Sequence, residues 1–290
     1  MAVFELKAAI PAADADAWSD LLAENEIAAL MVIEDRIASK AWLTGYFESE
    51  QAAQDVWKAL ADCPRALAQP AQAEVRALPD ADWKESYKLH FKPQHFGRLH
   101  WVPVWERPSY AVPHGDVVLW LDPGMAFGTG NHETTRLCGE RLAEFARDRG
   151  TTGSVVDAGC GSGILALSAA RLGFVDVCGF DLDPVAIGVS QENAAQNGLD
   201  GTVRFEVGDL VSGLEGRQGD LVMANIQADV LMRFADGLVR AVRPGGQLVL
   251  SGILATELET VRTAFSTVAC GARMESRVLG EWSDLVIDLR

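Results

Sequence analysis

From about residue 133 onward, short apolar segments alternate with amphipathic ones, and this alternation limits the possible fold more than any other feature. Apolar segments of this length are typical of buried strands, and the amphipathic ones have helical spacing. Strands separated by helices need right-handed crossovers, which predicts an α/β fold with an open parallel sheet. The predicted strands are 154–157, 175–181, 203–207, 220–225 and 247–250, and the predicted helices are 164–172, 184–196, 228–242 and 255–267. The last segments, 273–279 and 285–289, lack a helix between them and predict an antiparallel edge.

The first 78 residues follow another order, which is strand, helix, strand, strand, helix, strand. This is the order of the split βαβ, or ferredoxin-like, arrangement, and it predicts a small α+β domain. The predicted strands are 3–10, 30–33, 41–47 and 73–78, and the predicted helices are 14–24 and 51–63.

Three prolines after this region indicate a hinge near residues 64–80, namely Pro64, Pro70 and Pro79. We therefore divide the chain into a domain 1–65, a linker or hinge 66–95 and an α/β domain 96–290. Around the second boundary the pattern predicts a short helix at 82–91 and strands at 96–105 and 116–121.

The charge balance is strongly acidic, because 25 Lys and Arg residues stand against 41 Asp and Glu residues, a net charge of −16. This excess repels phosphate backbones and attracts basic partners, so we expect no direct nucleic-acid binding. No segment approaches the roughly 18 apolar residues of a membrane span, and the acidic start does not match a signal peptide. We expect a cytoplasmic monomer with no membrane partner. Five scattered cysteines without C-x-x-C spacing predict neither a disulfide framework nor a metal site.

The strongest local signal is the run VVDAGCGSGIL at residues 155–165, in which a buried strand leads through a glycine loop into a helix. Gly159, Gly161 and Gly163 let the backbone pass close to a flat or charged ligand, although glycines alone also suit a purely structural turn. The dinucleotide fingerprint would need glycine at position 164, where this chain has Ile164.

Acidic residues follow the next two strands. Asp181 stands where a nucleoside ribose would present its two hydroxyls, and a carboxylate can accept both hydrogen bonds. Asp183 precedes Pro184 and is interpreted as a helix cap. Asp209 could reach an adenine amino group, with a solvated loop aspartate as the alternative.

The glycine loop, the strand-end acid and the loop acid resemble in this order the class I S-adenosylmethionine-dependent methyltransferases. In that fold the tip of the fourth strand, here Asn225, lies beside the transferable methyl, so its amide carbonyl could orient an incoming amine. The alternative for Asn225 is a cap of the following helix. The prolines and aromatic residue that stack a flipped base are absent here, which favours an aliphatic amine as the acceptor.

A second glycine-punctuated loop, DPGMAFGTGNHETT at residues 122–135, offers the Thr135 hydroxyl and Phe127 as an aromatic wall. This run closely resembles the PrmA family, the ribosomal protein L11 methyltransferases. Its members carry nearly the same DPGxAFGTGxHxTT run, a GCGSGILA loop and a similar fourth-strand tip. Residues 82–105 also resemble that family's linker and the start of its catalytic domain, so the resemblance spans most of the chain.

The resemblance implies transfer of methyl groups from S-adenosylmethionine to lysine side chains, and to the terminal amine, of a basic ribosomal protein, L11. It implies that domain 1–65 recognises this substrate. It also implies that Thr135, Gly159, Asp181 and Asn225 contact the cofactor, to which the pattern adds Gly161, Gly163 and Asp209. Asn225 and Phe127 are the candidates for aligning the amine, whereas His132 is interpreted as structural.

Three alternatives remain. A related lysine methyltransferase could act on another protein, such as the electron-transfer flavoprotein beta subunit. A binding module could sense the nucleoside without turnover, although it would need neither Asn225 nor Phe127. A nicotinamide dehydrogenase is disfavoured by Ile164.

Overall fold

The computed structural model describes residues 3–24, 27, 29–35, 40–62, 73–78, 91–122 and 132–289. The chain divides into two units, Met1–His90 and Phe91–Arg290. The short helix predicted at 82–91 and most of the predicted linker lie outside the described residues.

In the N-terminal unit, the described strands form one antiparallel sheet in the order β2-β3-β1-β4. The element order β-α-β-β-α-β is the one predicted from the sequence. β4 lies within the segment 66–95 that the sequence analysis treats as a linker, and it pairs with β1. The elements are β1 (Val3–Ile10), α1 (Ala15–Glu24), β2 (Met31–Asp35), β3 (Lys40–Phe47), α2 (Glu50–Asp62) and β4 (Glu74–Leu78).

Side-chain alternation in β1 explains how this sheet packs. Leu6, Ala8 and Ile10 are buried, while Lys7 between them is exposed and its Nζ lies 4.6 Å from the Trp42 ring centroid. The buried face packs with apolar residues of both helices, which gives the N-terminal unit a core of its own. Its fully buried members outside β1 include Trp18, Leu43 and Leu60.

The second unit begins with a small sheet of β5 (Gln94–Phe96), β6 (Leu99–Pro103) and β7 (Val117–Leu121). β5 and β6 are antiparallel, and β6 and β7 are parallel. The strand predicted at 96–105 is therefore two strands, because the chain turns at Gly97, whose φ is +54°. β6 ends at Pro103, and a short 3-10 helix, Val104–Glu106, follows it.

The main sheet of the described chain has the strand order β10-β9-β8-β11-β12-β15-β13, with β14 beside β15. The first five strands are parallel, and β15 is antiparallel to its neighbours. This confirms the predicted α/β sheet with an antiparallel C-terminal edge. The strands are β8 (Ser154–Ala158), β9 (Asp176–Asp181), β10 (Val203–Val207), β11 (Gly219–Asn225), β12 (Val242–Leu254), β13 (Arg273–Glu275), β14 (Val278–Leu279) and β15 (Trp282–Asp288).

Successive strand residues point to opposite sides of this sheet, and both sides carry buried apolar side chains. Helices therefore cover both faces. Val155 packs in one apolar cluster with residues of α3 and α4, and Val156 packs in the other with residues of α6, α7 and α8. None of the described helices combines the length and apolar character needed to cross a membrane. The helices are α3 (Glu133–Arg149), α4 (Ile164–Leu172), α5 (Pro184–Gln196), α6 (Ala228–Arg233), α7 (Ala235–Arg240) and α8 (Leu258–Val268).

Two sequence predictions differ from the structure in the same region. The helix predicted at 228–242 is divided into α6 and α7 at Phe234, whose φ of −108° and ψ of 16° are not helical. β12 begins at Val242, five residues before the predicted strand, and Val242 pairs with Gly219. Pro244 and Gly245 within it are turn formers, and the predicted strand begins only after them.

A buried ion pair joins α3 to the antiparallel edge. Arg141 donates from Nε to Asp284 Oδ2 over 2.6 Å and from a terminal nitrogen to Oδ1 over 3.0 Å. Glu275 also accepts from Arg141, and Asp284 Oδ1 accepts the backbone N–H of Arg277. The side chains of Arg141 and Asp284 are 3% and 0% exposed, so each charge depends on the other for compensation.

We expect Asp284→Ala to lower the free energy of unfolding by about 3–5 kcal/mol, because it leaves the Arg141 charge buried without its main partner. The double variant Arg141→Met/Asp284→Leu removes both charges and should be markedly more stable than the single variant. Urea unfolding of the full chain measures both. A loss below about 1 kcal/mol in the single variant would show that water already reaches the pair.

Candidate functional site

Three of the predicted site residues lie at the carboxyl ends of three neighbouring strands. β8 lies between β9 and β11 in the sheet, and the chain leaves these strands at Gly159, Asp181 and Asn225. After β8 the chain continues to β9 on one side, whereas β11 lies on the other side of β8. The connections therefore change direction at β8, and open α/β sheets form a ligand crevice at such a topological switch point.

The glycine loop after β8 has a backbone that requires glycine. Gly159, Gly161 and Gly163 have φ values of +75°, +53° and +76°. A Cβ on Gly159 would lie 2.6 Å from Ile226 Cγ2, and one on Gly163 would lie 2.8 Å from Phe205 Cζ. The loop therefore fits closely between its neighbours, and it leads directly into the N-terminus of α4.

Asp181 lies at the tip of β9 beside this loop, as the sequence analysis predicts. Its Oδ2 accepts the N–H of Gly161 over 2.9 Å, and its Oδ1 accepts the N–H of Asp183 over 3.0 Å. Each carboxylate oxygen can accept more than one hydrogen bond, so the group can still receive two hydroxyls. Asp183 Oδ1 accepts the N–H of Val185 over 2.8 Å, which is the helix cap predicted for it.

Asp157 belongs to the site and was missed by the sequence analysis. Its side chain is 1% exposed, Oδ2 accepts the N–H of Ala166 over 3.0 Å, and Oδ1 has no hydrogen-bond partner within the described residues. The pKa of Asp157 is raised to about 7, because burial and, to a smaller extent, the Asp181 charge raise it more than the Ala166 hydrogen bond lowers it. Asp157 lies two residues before Gly159, and this position was the sequence signal that could have identified it.

Asn225 at the tip of β11 contacts the first turn of α3. Its Nδ2 lies 3.3 Å from Thr135 Oγ1, and Thr135 is 3% exposed. The buried Ser251 hydroxyl donates to the Thr134 carbonyl over 3.1 Å, which fixes the same turn to β12. Asn225 does not cap the following helix, whose N-cap is Gln227. With Nδ2 directed to Thr135, the amide has its oxygen available for another group.

His132 has the structural role that the sequence analysis gives it. It is the N-cap of α3, and its Nδ1 accepts the N–H of Thr134 over 3.4 Å and lies 2.8 Å from the Thr134 hydroxyl. Its ring centroid is 4.9 Å from that of Trp282 in an edge-on arrangement.

The roles of two predicted site residues stay predictions. Asp209 lies in an exposed turn, where its Oδ1 accepts the N–H groups of Ser212 and Val211 and the Ser212 hydroxyl over 2.7–2.9 Å. These hydrogen bonds lower the pKa of Asp209. Its contact with an adenine amino group stays a prediction. Phe127 lies outside the described residues, so the aromatic wall stays a prediction as well.

These groups fit a positively charged nucleoside better than a phosphate ligand. The glycine loop admits a flat ligand, the Asp181 carboxylate suits a vicinal diol, and the unpartnered Asp157 oxygen favours a nearby cation. A phosphate would instead meet two carboxylates. In the described part of the chain, no group of three or more His, Cys, Asp and Glu side chains could hold a metal ion.

Comparison with known proteins agrees with this geometry. The model of the family described as ribosomal protein L11 methyltransferase (PrmA) matches residues 8–289. The chain belongs to this family. A PrmA family member is a methyltransferase that uses S-adenosylmethionine, so family membership favours neither the nucleoside sensor nor the dehydrogenase.

Individual relatives agree with the family match. A ribosomal protein L11 methyltransferase of Pelobacter propionicus is 44% identical over 218 residues, which are 73% of this chain and 68% of the relative. One of Pelotomaculum thermopropionicum is 42% identical over 228 residues, 78% of this chain and 72% of the relative. The crystal structure of a ribosomal protein L11 methylase from Lactobacillus delbrueckii subsp. bulgaricus has a TM-score of 0.61 at 29% identity and covers 69% of this chain and 100% of that chain.

The pKa of Asp157 predicts how stability changes with pH. Because this pKa is raised above its unfolded value, the folded chain keeps a proton that the unfolded chain releases near pH 4. The contribution of this group to stability is complete below about pH 4 and is lost as the pH rises through about 7. Between about pH 5.5 and pH 8 the loss is roughly 2 kcal/mol.

Asp157→Asn cannot ionise and should escape this loss. Urea unfolding of both chains without cofactor should give a free-energy difference, variant minus parent, that increases by roughly 2 kcal/mol over that interval. A difference that does not change with pH would mean that Asp157 is charged throughout.

Proposed function

We propose that this chain transfers methyl groups from S-adenosylmethionine to lysine side chains, and to the N-terminal amine, of ribosomal protein L11. The observation that carries this proposal is the match of the PrmA family model over residues 8–289, which includes residues of both units. The site adds support, because an amide, rather than a base-stacking set, lies at the tip of β11. A ribosomal protein substrate would agree with the cytoplasmic location expected from the sequence.

The residues proposed to hold the cofactor lie at the strand ends of the crevice, and Asp209 joins them on the sequence prediction alone. Asp181 would accept the ribose hydroxyls, and the glycine loop would lie against the nucleoside. Asp157 would face the positive charge, and Asp209 would bind the adenine amino group. When bound, S-adenosylmethionine supplies a methyl group on a positively charged sulfur.

The acceptor must lose its proton before it can react. A lysine with a pKa of about 10.4 is neutral only about once in a thousand near pH 7.4, which is a handicap of about 4 kcal/mol. Partial burial and a neighbouring sulfonium both disfavour the ammonium form, so the site itself lowers this handicap and needs no dedicated general base. Asn225 Oδ1 would accept an amine N–H and direct the lone pair along the transfer axis, with Phe127 beside it.

The N-terminal domain 1–65 would recognise the substrate. It has five basic residues against twelve acidic ones, which suits a basic ribosomal protein. The hinge within 66–95 would allow the monomer to present different amines to the catalytic domain 96–290. The relatives described above are named for L11, so the electron-transfer flavoprotein beta subunit is not favoured as the substrate.

The direct test incubates the purified chain with purified L11 and labelled S-adenosylmethionine. We expect label on L11 lysines and on its N-terminal amine, identified by peptide mass spectrometry. A chain of residues 91–290, which is the second unit, should bind the cofactor with nearly the parent affinity but lose transfer to L11. Transfer to the flavoprotein subunit and not to L11 would contradict the proposed substrate, and unchanged transfer by the shorter chain would contradict recognition by the N-terminal domain.

The role of Asn225 predicts a separation between turnover and cofactor binding. Asn225→Ala should lower kcat about 10- to 100-fold, because the amine loses its alignment. The cofactor dissociation constant should rise less than about tenfold, since Asp181 and the glycine loop remain. Steady-state kinetics on L11 and calorimetry with S-adenosylhomocysteine measure the two effects. An equal loss in both would make Asn225 a cofactor-binding residue only.

A further inference from the structure

Polar side chains of α5 donate hydrogen bonds to the backbone of the glycine loop. The Ser190 hydroxyl donates to the Gly161 carbonyl over 2.7 Å, and Asn193 Nδ2 donates to the Ser162 carbonyl over 2.9 Å. Ser190 is fully buried and Asn193 half-buried. Two consecutive carbonyls of the loop are therefore fixed by side chains from one helix.

A third polar residue extends this contact to β7. The amide of Asn197, just after α5, accepts the N–H of Trp120 over 2.8 Å and donates to its carbonyl over 2.9 Å. Asn197 Nδ2 also donates to the Asn193 carbonyl over 2.9 Å. Hydrogen bonds thus connect the glycine loop through the end of α5 to the strand that precedes residues 122–135.

α5 directs polar side chains toward the glycine loop and leaves an apolar one exposed. Ser190 and Asn193 are three residues apart and point toward the loop, while Val185 on the same helix is 71% exposed. A buried hydroxyl loses its hydration, and the hydrogen bond that it makes returns only part of that free energy. An apolar residue would satisfy packing alone, so packing does not explain these polar side chains.

The hydrogen bonds have a direct consequence for the loop. A trans peptide is planar, so its N–H points opposite to its carbonyl. With the Gly161 carbonyl directed to Ser190, the Ser162 N–H is directed away from α5. Ser190 and Asn193 therefore fix the rotation of successive peptide planes in a segment whose glycines would otherwise permit several conformations.

We propose that Ser190 and Asn193 are positioning residues, which hold the glycine loop in the conformation that binds S-adenosylmethionine. Asn197 fixes the same helix end to β7. The inference rests on the proposed function, because it assigns that cofactor to the loop. It concerns binding of the cofactor and is independent of which protein receives the methyl group.

The test compares four single variants of the full chain by calorimetry with S-adenosylhomocysteine, well below their melting temperatures. Asn193→Ala and Ser190→Ala should each raise the dissociation constant about 5- to 20-fold. Asn193→Asp should raise it more than Asn193→Ala, because a carboxylate would face the Ser162 carbonyl oxygen without a proton to donate. The matched control is Gln191→Ala, an exposed amide on the same helix, which should bind like the parent.

Kinetics separates positioning from a loss of fold. In the Ser190 and Asn193 variants, the KM for S-adenosylmethionine should rise. Their kcat at saturating cofactor should stay within about twofold of the parent value, since the amine-aligning groups are unchanged. The double variant Ser190→Ala/Asn193→Ala should change the dissociation constant by a factor that differs from the product of the two single-variant factors, because both contacts hold one loop.

Binding within about twofold of the parent in all three loop-contact variants would overturn the inference. If Asn193→Ala fails to fold, the dissociation constants of Ser190→Ala and Asn193→Asp decide whether the inference stands. A parent chain that binds the cofactor but does not methylate L11 would instead overturn the proposed substrate and leave this inference standing.

Discussion

The site depends on one interaction, the hydrogen bond from the Gly161 N–H to the Asp181 carboxylate. It joins the loop after β8 to the tip of β9, so contacts within the protein fix the two elements proposed to bind the nucleoside to each other. The backbone adds to this, because the N–H groups of Gly159 and Cys160 both donate to the Phe180 carbonyl. A site that is ordered before binding loses less conformational entropy when the ligand arrives.

The same region has a stability cost that the proposed cofactor would explain. Asp157 is buried near Asp181 with one oxygen unpartnered, and this environment raises its pKa to about 7. A carboxylate with this environment would be poorly suited to a core that served only folding. A positively charged cofactor bound nearby would favour the ionised form, so binding would recover part of the free energy that ionisation of Asp157 costs the fold. Such a conflict between stability and function is expected at ligand sites.

Much of the fold could be predicted because the responsible signals are local. Strand and helix periodicity predicted the parallel strands, and the missing helix after residue 279 predicted the antiparallel edge. Asp181 and the glycine loop followed from their positions at strand ends. Contacts between distant segments gave no such signal. The partner of Asn225 is 90 residues away, and the extension of β12 through Pro244 depends on pairing with Gly219.

The chemistry of the pocket bears on where specificity must reside. Asn225 can align an amine, but every lysine side chain presents the same amine, so this contact cannot distinguish one protein from another. Neither the glycine loop nor Asp181 contacts the acceptor in the proposed arrangement. In the proposed arrangement, selection of the substrate therefore comes from surfaces outside these groups. The N-terminal domain, with five basic residues against twelve acidic ones, has a charge suited to a basic protein. A general amine site combined with a separate recognition domain would also account for the proposed transfer both to lysine side chains and to the N-terminal amine of one substrate.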